Sequence, residues 1–486
     1  MIDTKALRNK VLDLAIQGKL TKQLESDGTE EELFVQIQEE KQNLIKEGKI
    51  KKEKPFPSIS DDEIPFKIPK SWKWTHLGEI FQHNTGKALN SSNTDGNLFE
   101  YLTTSNVYWD KFDFSVIKKM HFTDAEIEKC TIRRGDLLIC EGGDIGRSAI
   151  WLFDYDMKIQ NHLHRLRTYY PEISSKYYLY IMKIYKEIGL IDGRGIGLQG
   201  FSSTRVHNLV VPLPPFAEQK RIVKRVEEIF KLLDIIDKAQ NKYSADAEIL
   251  KNKLITMGIQ GKLTEQLESD GTAEELFVQI QEEKQKLIKE GKIKKEKPLP
   301  PVSDEEIPFE IPKSWKWVRL GNLSKLITKG SSPKWQGVNY TDSEKGILFV
   351  TSENVGVCQM LLQRKKYIEK KFNDTHKSSI IIKGDILTNI VGASIGRTAI
   401  FDENDENANI NQAVCVIRLI NYSMNNFILR YMSGNDAVSL MIGKTVDTAR
   451  ANLSLTSVAN LLVPLPPLTE QKRIADKLDE ILKIIE

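Results

Sequence analysis

The chain has 486 residues, more than one ordinary core accommodates, so two or three domains are expected. Hydrophobic residues make up 40% and charged residues 28%, which fits a soluble globular class. A net charge of +3 neither demands nor excludes nucleic acid, because a basic face fits within a balanced total.

No apolar run approaches the about 18–20 residues that span a bilayer. The N-terminus, MIDTKALRNKVLDLAIQGKL, scatters charges where a secretory signal has a continuous apolar stretch. Cys130, Cys140, Cys358 and Cys415 form no CxxC and are expected as small core residues of a reducing cytoplasm.

IQGKLTKQLESDGTEEELFVQIQEEKQNLIKEGKIKKEKP, Ile16 to Pro55, returns as Ile259 to Pro298. The copies differ only where Lys22 becomes Glu265, Glu30 becomes Ala273 and Asn43 becomes Lys286. The repeat continues through EIPFKIPKSWKWTHLG (Glu63–Gly78) and EIPFEIPKSWKWVRLG (Glu306–Gly321). After a divergent stretch it converges again, at VVPLPPFAEQKRIV (Val210–Val223) and LVPLPPLTEQKRIA (Leu462–Ala475). Two equivalent modules follow from a repeat this long. Each reads as a helical arm, a Pro-rich entrance, a variable region, a Pro-rich exit and a helix.

The exit helix carries apolar residues at Ile222, Val226, Ile229, Leu233, Ile236, Tyr243, Ala247, Leu250, Leu254 and Met257, with Gln240 in the interrupted slot. Steps of four and three predict a coiled-coil seam. The C-terminal copy repeats the start, at Ile474, Leu478, Ile481 and Ile485, then the chain ends in mid-heptad. Thr4, Leu7, Val11 and Leu14 supply the missing half, in register with Ala247, Leu250, Leu254 and Met257. The expected fold is α+β: two α/β domains joined by long antiparallel coiled-coil helices, in a circular pseudo-twofold repeat cut inside a helix. Its expected parts are an N-terminal helix and arm (1–62), a first domain (63–215), a central helix with the second arm (216–305), a second domain (306–467) and a C-terminal helix (468–486).

The variable regions hold short β-type runs broken by Gly, Asp and Asn: YLTTSNV (Tyr101–Val107) and LFVTSENV (Leu348–Val355), RGDLLICEGGDIGRSAI (Arg134–Ile150) and KGDILTNIVGASIGRTAI (Lys383–Ile400). A helix is expected near Ser174–Gly189. Gly135–Asp136 and Gly384–Asp385 suit a framework turn as well as a functional one. Arg147 and Arg397 suit a phosphate or base edge, or a local carboxylate.

Between these landmarks lie polar loops that differ between the copies: HNTGKALNSSN (His83–Asn93) and ITKGSSPKWQG (Ile327–Gly337), then GRGIGLQGFSSTR (Gly193–Arg205) and GKTVDTARANLS (Gly443–Ser454). Lys, Arg, Asn, Gln, Ser and Thr are the side chains that hold phosphates and read base edges. The DNA-contact candidates in the first copy are Lys87, Asn90 and Ser91, then Thr104, Ser105 and Asn106, then Arg147, Arg194, Gln199 and Arg205. In the second they are Lys329, Ser331 and Lys334, then Thr351, Ser352 and Asn354, then Arg397, Lys444 and Arg450. A constant framework with varied polar loops suits two readers of different targets.

Catalytic motifs are missing. Gly195–Gly200, GIGLQG, fits GxGxxG without the surrounding strand, helix and acidic residue. Pro214–Phe216 lacks the Asn or Asp that precedes PPF in amino-methyltransferases; Leu213 stands there. No P-loop, HExxH or metal-ligand spacing of histidines occurs. No catalytic, metal or cofactor residue is therefore expected.

IPKSWKW entering each variable region, PLPPxxEQKRI leaving it, and LIKEGKIKKEKPLPP in the arm resemble the specificity subunit of type I restriction–modification enzymes. The resemblance covers nearly the whole chain, twice. It implies two target-recognition domains, each reading one half of a bipartite asymmetric site in double-stranded DNA. It further implies docking of two modification subunits, which bind S-adenosylmethionine and methylate adenine, and of two restriction subunits, which use ATP and Mg. The chain itself would be non-catalytic and cytoplasmic. The sequence departs from the family in one respect, a short C-terminal helix ending at Glu486, although subunits of this circular type often begin and end in mid-helix. Two other readings are a lone enzyme with a cryptic site, disfavoured by the missing motifs, and a two-headed DNA-binding scaffold or repressor without restriction partners.

Overall fold

The structure, a computed structural model, describes residues 1–89, 94–191, 200–404, 407–443 and 452–485. It divides into two compact units, Met1–Asn241 and Lys242–Glu486. One continuous helix, Phe216–Ile259, gives its first part to one unit and the remainder to the other. Among the described residues no helix is long and apolar enough to cross a membrane.

The first unit opens with the helix Thr4–Ile16 and the arm helix Glu30–Lys46. The arm starts where it does because Thr29 and Glu32 form a reciprocal cap. Glu32 N–H donates to the Thr29 hydroxyl at 3.2 Å, and Thr29 N–H donates to the Glu32 carboxyl at 3.0 Å. Thr272 and Glu275 start the second arm, Ala273–Lys289, in the same way. Gly18 and Gly261 turn the chain between helix and arm at φ of 67° and 69°. A β-carbon there would come within 2.4 Å of Pro69 or Pro312, so only glycine lets the IPKSW segment close on the helix end.

Each variable region is clasped at its base by a two-stranded antiparallel pair, Lys73–His76 with Val210–Leu213 and Lys316–Arg319 with Leu462–Leu465. Inside the first clasp lies an antiparallel sheet in the order Phe81–Thr85, Leu163–Thr168, Leu137–Cys140, Ser148–Ile150. A second sheet runs Lys118–Phe122, Asn97–Leu102, Met157–Ile159, Thr131–Ile132, with one parallel pair, Tyr101 against Lys158. The second unit repeats the antiparallel order as Ser324–Lys329, Val414–Leu419, Ile386–Asn389, Thr398–Ile400. Its other sheet again holds one parallel pair, Phe349 against Asn409. The expected helix forms at Ser175–Glu187 and packs its tyrosines into the first core.

The GD turns belong to the framework. Arg167 donates to both Asp136 oxygens, at 2.8 and 2.6 Å, and Arg133 N–H donates to the same carboxyl at 2.7 Å. Arg418 and Ile382 N–H do the same for Asp385, at 2.7, 2.6 and 2.9 Å.

The helices pair antiparallel within each unit. Arg8 bridges Asp234 and Asp237 at 2.7 and 2.9 Å, while Tyr243 hydroxyl donates to the Ile485 carbonyl at 3.5 Å. The expected seam is displaced, however. Ile222, Val226, Leu233, Ile474 and Leu478 are buried as the spacing predicts. In the N-terminal helix the buried residues are Thr4, Leu12, Ala15 and Ile16, and Leu7 is exposed. In the latter part of the central helix Ile255 and Ile259 are buried, while Tyr243 and Leu250 are exposed. The reason is that each helix also covers its own unit's mixed core, so the buried stripe is wider and rotated from a pure coiled-coil seam.

Candidate nucleic-acid interface

Strand register gathers loops from distant sequence at one end of each antiparallel sheet. In the first unit Thr85 pairs with His164, Leu163 with Cys140, and Ile139 with Ser148. The segments just beyond that end therefore lie side by side. Asn161 N–H donates to the Lys87 carbonyl at 2.9 Å, Glu141 N–H to the His162 carbonyl at 3.0 Å, and Phe201 N–H to the Glu141 carbonyl at 2.9 Å. In the second unit Lys329 pairs with Cys415, Asn389 with Val414 and Thr388 with Thr398. Ile390 N–H donates to the Ala413 carbonyl at 2.9 Å, and Leu453 N–H donates to the Ile390 carbonyl at 2.8 Å. The same end of the same sheet thus carries different residues in the two units.

Several candidates turn out to build this end rather than to project from it. Lys87 is buried; its ammonium donates to the His121 carbonyl at 2.8 Å and to Glu126 at 2.7 Å. That bond holds the Glu126 carboxyl below its usual range. Asn106 is buried and ties a one-turn loop. Its side-chain oxygen accepts from Thr103 N–H at 2.9 Å, and its amide donates to the Asp113 and Val116 carbonyls, both at 2.9 Å. Asn354 does the same with Thr351, Leu361 and Arg364 at 2.9, 3.0 and 3.3 Å. So a Thr and an Asn three residues apart, Thr103 with Asn106 and Thr351 with Asn354, encode one shared loop.

The two units fasten that loop differently. Arg147 donates to the Thr104 carbonyl at 2.6 Å and lies over the Tyr108 ring at 4.6 Å. In the second unit Asn389 donates to the Ser352 carbonyl at 2.9 Å, and Arg397 is exposed. Ser105, Lys329 and Lys334 are also exposed. Ser331 is half-buried and accepts from Gln336 at 3.2 Å, and Arg205 donates to the Gly200 carbonyl at 3.3 Å. Asn90, Ser91, Arg194, Gln199, Lys444 and Arg450 lie outside the described residues, as does GIGLQG up to Gly200.

Beneath the first unit's end buried His164 meets half-buried His83. His164 Nε2 lies 2.7 Å from the Phe201 carbonyl, and His83 Nε2 lies 3.0 Å from His164 Nδ1. The geometry requires His164 to carry its proton on Nε2 and to accept from His83. Burial, followed by the charges of His164 and His207, pushes His83 down to about 3. Register places Ile327 and Cys415 at the equivalent positions of the second unit. Sequence reasoning passed over this pair, and it passed over Trp335, an exposed indole between Lys334 and Gln336. Among the described residues no group of three or more His, Cys, Asp or Glu could hold a metal ion.

The comparisons agree with this doubled architecture. A family model described as type I restriction modification DNA specificity domain matches residues 69–243 and again 312–486. The chain is 27% identical to the EcoAI specificity subunit of Escherichia coli, over 99% of this chain and 89% of that protein. It is 26% identical to the EcoEI specificity subunit of the same species, with the same shares covered. A solved structure concerning complex assembly and conformational transition of the type I R-M system superposes with a TM-score of 0.56 at 20% identity, covering 87% of this chain and 92% of that one. With two domain matches spanning more than half of its length, the chain belongs to the type I restriction–modification DNA specificity family.

Proposed function

We propose that each unit reads one half of a bipartite, asymmetric site in double-stranded DNA through the loops at the described end of its antiparallel sheet. The observation that carries this reading is the pairing of identical clasps with different loop ends: Thr85, His164 and Cys140 in one unit occupy the places of Lys329, Cys415 and Asn389 in the other. A protein meant to read two equal half-sites has no use for that difference. The contact set we favour consists of Ser105, Arg205, Lys329, Lys334 and Arg397, together with the loop residues Asn90, Ser91, Arg194, Gln199, Lys444 and Arg450. Lys87, Asn106 and Asn354 are instead placed in the supporting frame, because their polar groups are already satisfied.

The chain itself is read as non-catalytic. Two modification subunits dock on its equivalent frames, bring S-adenosylmethionine and methylate an adenine in each half-site. Two restriction subunits, using ATP and Mg, complete the cleaving form, which works in the cytoplasm. Two equivalent docking faces are supported by apolar residues left exposed at matching positions: Leu7 at 43% with Leu250 at 45%, and Leu232 at 60% with Ile484 at 77%. The test is coexpression with the modification subunit, followed by mapping of methylated adenines and native mass measurement. We expect one bipartite motif and two modification subunits per chain. Exchange of 81–205 for a relative's segment should rewrite one half of the motif only. Methylation without a bipartite motif, or a complex with one modification subunit, overturns the reading.

A further inference from the structure

We propose that Trp335 stacks on the DNA bases or sugar edge beside the half-site read by the second unit, as a fixed aromatic contact. The inference rests on the DNA-reading function above and deepens it by naming a residue and its mode of contact.

The chain has seven tryptophans. Trp72, Trp151, Trp315 and Trp317 are buried, Trp74 and Trp109 are half-buried, and Trp335 is 79% exposed. Leaving an indole in water forgoes one of the largest apolar burials a side chain offers. A mobile loop tip would explain such exposure trivially, but this tip is anchored on both sides. Pro333 is buried immediately before it, and Val338 is 6% exposed within a cluster with Ile347, Phe349, Ile368 and Phe372. Val338 N–H donates to the Pro333 carbonyl at 3.0 Å, and Gly337 N–H donates to the Lys334 carbonyl at 3.3 Å, closing the turn beneath the indole. Gly337 adopts the left-handed conformation this turn requires, with φ of 63°. Upstream, Gly330 lies so close to its neighbour strand that a β-carbon would come within 1.8 Å of the Ile410 carbonyl. The fold therefore spends two anchors and two glycines on holding one indole outward. Nearby Tyr340 is also exposed, but its ring meets Phe349 edge-on at 6.4 Å and so has a partner in the core.

Location and charge select the occupant. The turn leaves the sheet at Lys329, on the end shared with Arg397 and Asn389. Trp335 directly follows exposed Lys334 in the chain, and exposed Lys329 begins the same loop. Exposed cations on the same loop as an exposed aromatic side chain suit a polyanion that also offers flat apolar surfaces, which is a nucleic acid. A rigid wedge of this kind stacks on an end or inserts at a base step.

The test uses the complete complex with modification subunits and its mapped target duplex. W335A, W335F and K334A are compared for affinity, and for emission of 2-aminopurine walked across the second half-site and its flanks. Base–aromatic stacking predicts a loss of about 5- to 100-fold for W335A, a small loss for W335F, and one 2-aminopurine position whose response to binding vanishes in W335A. K334A should weaken all duplexes alike and reduce the salt slope by about one. Anchors Pro333 and Val338 are untouched, so W335A should unfold at the wild-type temperature. W335A binding within twofold of wild type, with the same emission profile, overturns the proposal. So does a W335A that fails to assemble with modification subunits before DNA is added, since Trp335 would then be a protein contact. If the wild-type complex selects no duplex at all, the underlying DNA-reading function has failed instead.

Discussion

Trp72 donates its indole N–H to Glu218 at 2.8 Å, 146 residues away, and Trp315 donates to Glu470 at the same distance. Both carboxyl groups are buried, and the second oxygen of each accepts from the arm. Thr21 and Gln23 donate to Glu218 at 3.1 and 2.8 Å, and Thr264 and Gln266 donate to Glu470 at 3.3 and 2.9 Å. One glutamate thus joins the three repeated motifs: the IPKSW entrance, the EQKRI exit and the GKLTxQLESDG arm. Arg221 and Arg473 reinforce the joint, each donating twice to a buried aspartate of the arm, Asp27 or Asp270. Arg473 holds the Asp270 carboxyl down to about 2. The motifs recur because they are the contacting parts of one lock, and the lock closes on whatever lies between them.

Breaking the lock should be local. Glu218→Ala leaves the buried Trp72 indole N–H without its acceptor and takes one partner from Thr21 and one from Gln23, which keeps its bonds to the Gly18 and Thr21 carbonyls. It should cost the first unit about 1–3 kcal/mol. Hydrogen exchange should show lost protection in the helix Thr4–Ile16 and the start of the central helix, with the second unit's sheets unchanged. Glu470→Ala should show the mirror pattern. Equal loss in both units after either change would mean that the units do not close independently.

Arg147 and Arg397 should respond oppositely despite their matching sequence positions. Arg147→Ala removes the donor to the Thr104 carbonyl and should cost about 1–2 kcal/mol, loosening the loop and blurring the half-site read by the first unit. Arg397→Ala should change stability by less than about 0.5 kcal/mol. If it contacts phosphate, the slope of log affinity against log salt should fall by about one. Denaturant titrations and salt-dependent binding of both variants separate the two roles.

The histidine pair gives the first unit an acid-sensitive contact where the second unit has Ile327 and Cys415. His83 is held at about 3, against about 6.5 for an exposed histidine. A depressed value means that the unfolded chain takes up the proton first. The contribution is fully present above about pH 6.5 and is lost progressively as pH falls towards 3. Exchange-based stabilities should therefore decline in the first unit over that window. The double variant H83I/H164C, carrying the second unit's residues, should flatten the decline. An unchanged pH profile in that variant would assign the acid limb to other groups.

The continuous central helix should act as a ruler for the DNA spacer. It has 44 residues, roughly 66 Å at about 1.5 Å per residue. The N-terminal helix follows it up to Gln240, through bonds between Gln240 and Ile2, and the C-terminal helix follows it from Tyr243. Seven residues inserted after Asn241 fall between these paired stretches and preserve helical register. They add about 10.5 Å, equivalent to roughly three base pairs at about 3.4 Å each. Methylome mapping should then find both half-sites unchanged and the spacer longer by up to about three base pairs. A smaller increment would reflect bending or twisting of the DNA. An active variant with the original spacer would show that the helix does not set the distance.

Sequence alone determined the doubling, the clasp motifs, the helix limits and the family, because these are written in short-range signals. Thr29 and Glu32 stand three residues apart and cap the arm wherever it sits; Gly18 ends its helix by its own backbone freedom. Steps of four and three likewise marked the long helix, but not which side of it is buried. That was decided by the mixed core beneath each helix, which turned burial from Leu7 to Leu12 and from Leu250 to Ile255. The fate of the polar candidates was also tertiary. Lys87 looked like a phosphate contact until strand order carried Glu126, 39 residues on, to its ammonium. Asn106 resembled a base reader until its amide closed a loop on Asp113 and Val116. A polar side chain that folding buries with its hydrogen bonds made, as it does these two, is not available to DNA. In this protein that depends on parallel and antiparallel pairings between strands far apart in sequence, which no local pattern specifies.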